Sequence, residues 1–89
     1  MTDVELVIAE DIVHTEVDHH AMLMSIEEGK YYSLSPVATR IWALLEAPIT
    51  VPELVKRLLE DYEVSPDDCL SDVQIFVDAL RERRLIRQK

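Results

Sequence analysis

The sequence predicts an α+β fold, a three-stranded antiparallel sheet followed by three helices, and three observations carry that prediction. Apolar residues alternate with period two through the first third of the chain, and they recur at helical spacing through the rest. Three start signals, each a hydroxyl residue next to a proline or opening a capping box, then divide the second region into three helices. At 89 residues, 48% hydrophobic and 30% charged, with no linker and no low-complexity tract, the chain reads as one domain over 1–89. Residues 1–11 are either an N-terminal arm or an extra strand.

The strands come first. Val4, Leu6 and Ile8 recur every second residue, and residues 4–9 fit a strand or an ordered arm equally. Val13, Thr15 and Val17 mark a strand over 12–18. Met22, Met24 and Ile26 alternate with Ala21, Leu23 and Ser25, so this segment is apolar on both faces. Glu27-Glu28-Gly29-Lys30 follows, with the lone glycine where a tight turn needs positive φ. Lys30-Tyr31-Tyr32-Ser33-Leu34 closes a hairpin over 21–34.

The helices follow in order. Ser35-Pro36 is an N-cap with proline at the first helical position. Val37, Ala38, Ile41, Trp42, Leu44 and Leu45 then form one stripe, which ends at Ala47-Pro48-Ile49. Thr50 opens a capping box with Glu53, and Leu54, Val55, Leu58, Leu59 and Tyr62 mark the buried face. Ser65-Pro66-Asp67-Asp68 starts the third helix, with two acids at the positive end of its dipole. Leu70, Val73, Phe76, Val77 and Leu80 are expected inward, and Leu85-Ile86 tucks the end against the core.

Three strands, a helix and two further capped helices are the ingredients of a winged helix-turn-helix-like arrangement, which makes DNA binding the first functional class to weigh. The charges oppose it. The chain has 18 acidic and 9 basic residues, a net charge of −9. The third helix presents Asp67, Asp68, Asp72 and Asp78 where a recognition helix needs Arg, Lys, Asn or Gln. The basic residues Arg81, Arg83, Arg84, Arg87 and Lys89 gather at the end, where the helix dipole accounts for cations. Neither nucleic acid nor an anionic membrane is an expected partner.

Other classes fall away on composition. A single cysteine, Cys69, excludes a disulfide framework and a cysteine-rich zinc site, and a single glycine excludes phosphate-cradling loops. The acidic N-terminus is no signal peptide, and no apolar run approaches a membrane span. A cytoplasmic protein is expected. His14, Glu16, Asp18 and His20 alternate onto one face of an extended segment, with His19 adjoining, but a metal site needs about four convergent ligands, and a solvated strand end or turn explains these residues better. Cys69 follows Asp67 and Asp68, which disfavour a thiolate. No cofactor, no metal and no catalytic residue are expected: the chain reads as a binding protein, not an enzyme.

A binding feature does stand out. If the first strand pairs with the far side of the middle one, Lys30 to Leu34 form an open edge, aromatic and nearly uncharged. Such an edge invites pairing and is how an extended peptide is captured. Tyr31 and Tyr32 point to opposite faces, so one alone can serve the core. On the third helix, Ile75 and Ala79 widen the apolar surface to one side of Val73, Phe76 and Leu80, with Cys69, Asp72 and Arg83 between. A widened helix flank beside an open strand makes a groove. The same edge could equally serve a dimerisation module.

The run MLMSIEEGKYYSLSPVATRIWALLE, followed by ITVPELVKRLLEDYEVSPDDCLSDVQIFVDALRERRLI, resembles the PqqD-like proteins, the precursor-peptide recognition elements of ribosomally made, modified natural products. The resemblance runs through Gly29-Lys30-Tyr31-Tyr32-Ser33-Leu34, Ile41-Trp42-Ala43-Leu44-Leu45, Asp72-Val73 with Phe76, and Leu80 with Leu85-Ile86. It covers residues 12–86, and Arg84 departs from it, since the family commonly has glycine there. The resemblance implies that a precursor's leader segment adds as an antiparallel strand to the third strand, facing the third helix. Its binders would be Lys30, Tyr31, Tyr32, Ser33 and Leu34 on the strand, and Cys69, Asp72, Ile75, Phe76, Ala79 and Arg83 on the helix. The hairpin and the Ile-Trp helix look most like the free-standing members of lasso peptide biosynthesis. There the protein would present the leader to a peptidase, a transglutaminase-like cysteine protease, ahead of an ATP-dependent macrocyclase. The alternatives are a peptide carrier of pyrroloquinoline quinone synthesis, working with a radical-SAM enzyme, and a winged-helix DNA-binding protein.

Overall fold

The computed structural model describes residues 4–89 and gives the order β1 (Leu6–Ile8), β2 (Ile12–Val17), β3 (His20–Ser25), β4 (Lys30–Ser33), α1 (Pro36–Leu44), α2 (Val51–Asp61), α3 (Pro66–Glu82) and β5 (Ile86–Gln88). The start of the expected arm, residues 1–3, lies outside the described residues. The three-stranded antiparallel sheet has the order β2-β3-β4, and three helices follow it as the sequence predicts. The ambiguous segment 4–9 contains a strand, but not of that sheet. β1 pairs with β5, Leu6 opposite Gln88 and Ile8 opposite Ile86, in a separate two-stranded ribbon.

Both hairpins rest on left-handed backbone. Val17 and His20 pair across a two-residue turn in which Asp18 (φ 50°) and His19 (φ 67°) are both left-handed, the geometry of a type I′ turn. Between β3 and β4, Gly29 has φ 65°, and Asp11 ties this turn from outside. Its carboxylate accepts from Ser25 Oγ at 3.1 Å, and its carbonyl accepts from the Ile26 N–H at 3.1 Å.

Each helix begins at its expected cap. Ser35 accepts from the Ala38 N–H, Thr50 and Glu53 complete a capping box, and Ser65 accepts from the Asp68 N–H. The end of α3 is a Schellman turn. The Arg84 N–H reaches the Arg81 carbonyl, the Leu85 N–H reaches the Leu80 carbonyl at 2.9 Å, and both leucines are buried. Arg84 therefore sits at the left-handed position, φ 59°, where glycine is the usual occupant.

Sheet and helices meet through Leu23, Trp42, Leu45, Leu54, Val73, Val77 and Leu85, all almost fully buried. A hydrogen bond locks α1 to the sheet: the buried Ala21 N–H donates to Thr39 Oγ1 at 2.8 Å. Trp42 meets the His14 ring edge-on, with centroids 6.3 Å apart.

Two helix positions differ from expectation. Leu70 is 46% exposed and Cys69 is buried in its place, because Cys69, four residues before Val73, continues the line of Val73 and Val77. Val37 is also exposed, lying in the first turn of α1 at the margin of the packed layer.

Candidate functional site

β4 is paired on one side only, by β3, with Leu23 opposite Tyr32 and Met24 opposite Tyr31. What its free side offers follows from one bond. The Leu34 N–H donates to the Ala21 carbonyl at 2.9 Å. Residues of an antiparallel strand alternately turn both backbone groups toward the partner and away from it. Leu34, Tyr32 and Lys30 therefore face β3, whereas Tyr31 and Ser33 point their N–H and C=O groups outward. Leu34 is fully engaged: its side chain is buried and its carbonyl accepts from the His20 ring at 2.9 Å. The expected edge of Lys30 to Leu34 narrows to Tyr31 and Ser33, and Leu34 is corrected to a core residue. Lys30 is exposed beside Glu28, 3.9 Å away.

The two tyrosines divide as their alternation requires. Tyr32 lies on the face of Leu23 and packs against the core, while Tyr31 lies on the opposite face and is 72% exposed. Tyr32 is thus the one whose side chain faces the helical layer. Tyr31 offers the edge its backbone and turns its ring away.

On α3, the expected residues form one continuous band. At about 100° per residue, Cys69, Phe76, Arg83, Asp72, Ala79 and Ile75 follow one another around the helix, beside the buried line of Val73, Val77 and Leu80. Cys69 is buried, Phe76 and Ala79 are half-buried, and Arg83, Asp72 and Ile75 are exposed. α3 itself packs mainly on α2 and β5. Cys69 and Asp72 line a cavity of about 210 Å³ with Val37, Ile41, Tyr62 and Val64. Val37 lies just beyond the end of β4, so the start of the α3 band and the exit of β4 border the same hollow.

The cavity lining is mostly apolar, with Asp72 and Tyr62 as the residues that carry oxygen-bearing side chains. Burial pushes the Cys69 thiol up, and the negative charge of Asp72 pushes it further in the same direction. The thiol stays protonated near neutral pH and acts as a small apolar wall, not as a nucleophile. The sequence reading assigned Val37, Ile41 and Tyr62 to the core and passed over Val64. The available signal was Val64 itself, a lone apolar residue in the polar connection before Ser65.

The candidate metal residues are separated by the first hairpin. His14 and Glu16 share a strand face, Asp18 lies in the turn, and His20 pairs opposite Val17. Among the described residues no three His, Cys, Asp or Glu side chains converge on one point. His14 lies 3.6 Å from Glu46 instead. The described residues also include no helix long and apolar enough to cross a membrane.

A family model described as coenzyme PQQ synthesis protein D (PqqD) matches residues 20–86, from the start of β3 into β5. The chain belongs to the PqqD family. Its architecture recurs in solved PqqD-like structures. One, described as TbiB1 in complex with the TbiA(beta) leader peptide, is 28% identical with a TM-score of 0.86, over 91% of this chain and 94% of that one. Another, described as lasso peptide synthetase B1 complexed with the leader peptide, is 23% identical with a TM-score of 0.83, over 93% and 98%. Among curated proteins, none matches the chain. The matched region contains both β4 and α3, the two elements that carry the candidate site.

Proposed function

We propose that this PqqD-family protein binds the leader segment of a ribosomally made precursor peptide and presents it to processing enzymes, foremost the leader peptidase of a lasso peptide pathway. It would do so without catalytic chemistry of its own. One observation carries this reading: β4 is paired on one side only, and the backbone groups of Tyr31 and Ser33 turn outward along its free edge. The similarity to structures holding a leader peptide supports the same assignment.

An added strand would pair through Tyr31 and Ser33, which selects for an extended backbone and little else. Selectivity would come from Tyr32, Phe76, Ala79 and Ile75, with Asp72 and Arg83 fixing register by charge. An antiparallel leader would start near the cavity between Val37 and Asp72, at the end of β4. It would leave near Gly29, carrying the precursor's core beyond that turn. Truncating a central anchor such as Phe76 would cost about 2 kcal/mol or more in affinity, although Phe76 also packs against the core. Ala79→Glu is the cleaner side-chain test, since it places a charge in the groove without removing packing.

The backbone test uses Ser33. Because its N–H faces the edge, Ser33→Pro is compatible with the β3 pairing but removes the donor an added strand needs. Ser33→Pro should lower leader affinity by about tenfold or more, the equivalent of about 1.4 kcal/mol, with Ser33→Ala close to wild type. A leader that binds Ser33→Pro as tightly as wild type contradicts the proposal. A second reading, a peptide carrier of pyrroloquinoline quinone synthesis, is favoured by the description of the family model. Titration with leaders of both pathways separates the two.

A further inference from the structure

The sheet has a second open edge, on β2, and the leader reading makes no use of it. Two bonds fix which residues of β2 face outward. Ala21, opposite Glu16, donates its N–H to Thr39 Oγ1 and accepts from the Leu34 N–H, so neither group is spent on β2. At the other end, the Ile12 N–H donates to the Ala9 carbonyl and not to β3. By alternation, His14 and Glu16 turn their N–H and C=O groups away from β3. Among the described residues no backbone bond reaches them from outside the hairpin. Edges are ordinarily blunted by proline, lysine or a bulge, and Val13-His14-Thr15-Glu16-Val17 contains none of these.

The side chains along this edge decide its occupant, because their order is self-complementary. An antiparallel second copy centred on Thr15 sets Val13 opposite the partner's Val17 and Thr15 opposite the partner's Thr15. His14 then stands opposite the partner's Glu16. Each is a favourable cross-strand pair: β-branched with β-branched, hydroxyl with hydroxyl, and imidazole with carboxylate. The backbone phase agrees, since the outward-facing His14 and Glu16 become the hydrogen-bonded pairs. Sliding by two residues sets His14 against the partner's His14, or Glu16 against the partner's Glu16, so charge selects the register. Val13, Thr15 and Val17 lie on the face away from the helices, with Met22, Met24 and Tyr31, and none of the six is charged.

The helix side also accommodates a second copy. α1 packs on β3, one strand in from the edge. At about 4.8 Å per strand, the two α1 helices would stand about 14 Å apart, beyond the distance of about 8–10 Å at which helices pack. Under the edge lies a cavity of about 170 Å³, walled by His14, Glu16, Trp42 and Glu46. The Trp42 indole N–H is buried and has no acceptor among the described residues. The partner's Glu16, opposite His14, brings a carboxylate to this side. The opposing cost is electrostatic: each copy carries −9, and the ends of the paired strands bring Asp18 toward the partner's Asp11. A strand of this length against that charge makes a reversible dimer, not an obligate one.

We propose that β2 is a self-pairing edge, through which two copies join into one continuous sheet of order β4-β3-β2-β2-β3-β4. Both β4 edges remain free at its outer limits, about 24 Å apart. The pairing does not depend on the leader reading; where that reading holds, the dimer carries two leaders at once.

The test combines sedimentation velocity from micromolar to millimolar protein with a charge exchange, and thermal unfolding checks each fold. Wild type should dimerise reversibly. His14→Glu opposes like charges in both outward pairs and should weaken association about tenfold or more. The double variant His14→Glu/Glu16→His restores opposite charges at the same two positions and should return to within about threefold of wild type. Register is read by oxidative cross-linking. Thr15→Cys meets itself within disulfide reach and should form a covalent dimer, whereas Val13→Cys faces the partner's Val17 and should not. Wild type that stays monomeric at millimolar concentration overturns the proposal. So does a folded double variant as weakly associated as His14→Glu, or Val13→Cys cross-linking as fast as Thr15→Cys. Amide shifts at His14 and Glu16 that arise only with added leader, without a dimer, would give the edge to the peptide and overturn it as well.

Discussion

Arg84 holds a backbone conformation that costs an L side chain roughly 1–2 kcal/mol. At φ 59° it caps α3 in the geometry of a Schellman turn, with the buried pair Leu80 and Leu85 closing over it. Replacing Arg84 with glycine should stabilise the fold by about 1 kcal/mol, less what glycine adds to the entropy of the unfolded chain. Chemical denaturation of the two proteins at equal slope checks this. Thr39 predicts the opposite sign. Its hydroxyl is the acceptor for the buried Ala21 N–H, so Thr39→Val keeps the shape and orphans the donor, at a cost of about 1–3 kcal/mol. The same unfolding experiment reads it. At this scale the sequence was partly legible. The departure from glycine at Arg84 was visible against the family pattern, but the bond from Thr39 joins residues 18 positions apart, and no local pattern announces it. The Leu70 and Cys69 exchange has a similar origin: hydrophobicity favoured leucine, while the helical phase set by Val73 and Val77 favoured the smaller residue.

Elements defined by their own caps and alternation were read correctly, and the one that needs a distant partner was not. All three helix starts and the 21–34 hairpin carry local signals, whereas β5 is the three-residue segment Ile86–Gln88, recognisable only through its pairing with β1. Its charges were assigned to the helix dipole, yet Arg87 pairs with Glu10 and Lys89 lies 3.9 Å from Glu5. The hydrogen bond from Arg87, reinforced by its charge, holds the Glu10 carboxyl below its ordinary value and raises Arg87. A lowered carboxyl favours the folded pairing above the unfolded pKa and loses that contribution as pH falls through the folded one. Both groups are solvent-exposed, so the effect is local. Amide exchange across Leu6–Ile8 and Ile86–Gln88, corrected for intrinsic rates, should accelerate on acidification through the carboxylate range. Arg87→Gln should remove most of that pH dependence. The candidate site shows the same division between local and distant information. Opposite faces for Tyr31 and Tyr32 follow from strand alternation alone, but which one meets the helices, and that Leu34 is already bonded, depend on the register with β3.

As a whole molecule the protein is strongly acidic. Its net charge of −9 and the exposed Asp67, Asp68, Asp72 and Asp78 of α3 oppose contact with a phosphate backbone. That expectation rests on composition. It could not reveal that the outer face of the sheet is also uncharged, because alternation on a segment apolar on both sides does not say which face the helices cover. The account predicts little binding to short duplex DNA at physiological ionic strength, and no strengthening with sequence. Its central claim is that a leader peptide adds as a strand to β4. The most direct measurement is an NMR titration of labelled protein with the leader of its pathway, followed by detection of intermolecular contacts. The account predicts shifts concentrated at Lys30–Ser33 and along Asp72 to Arg83, with leader protons close to the Tyr31 and Ser33 amides. Saturable binding that leaves β4 unperturbed and shifts the termini or α2 instead would contradict it.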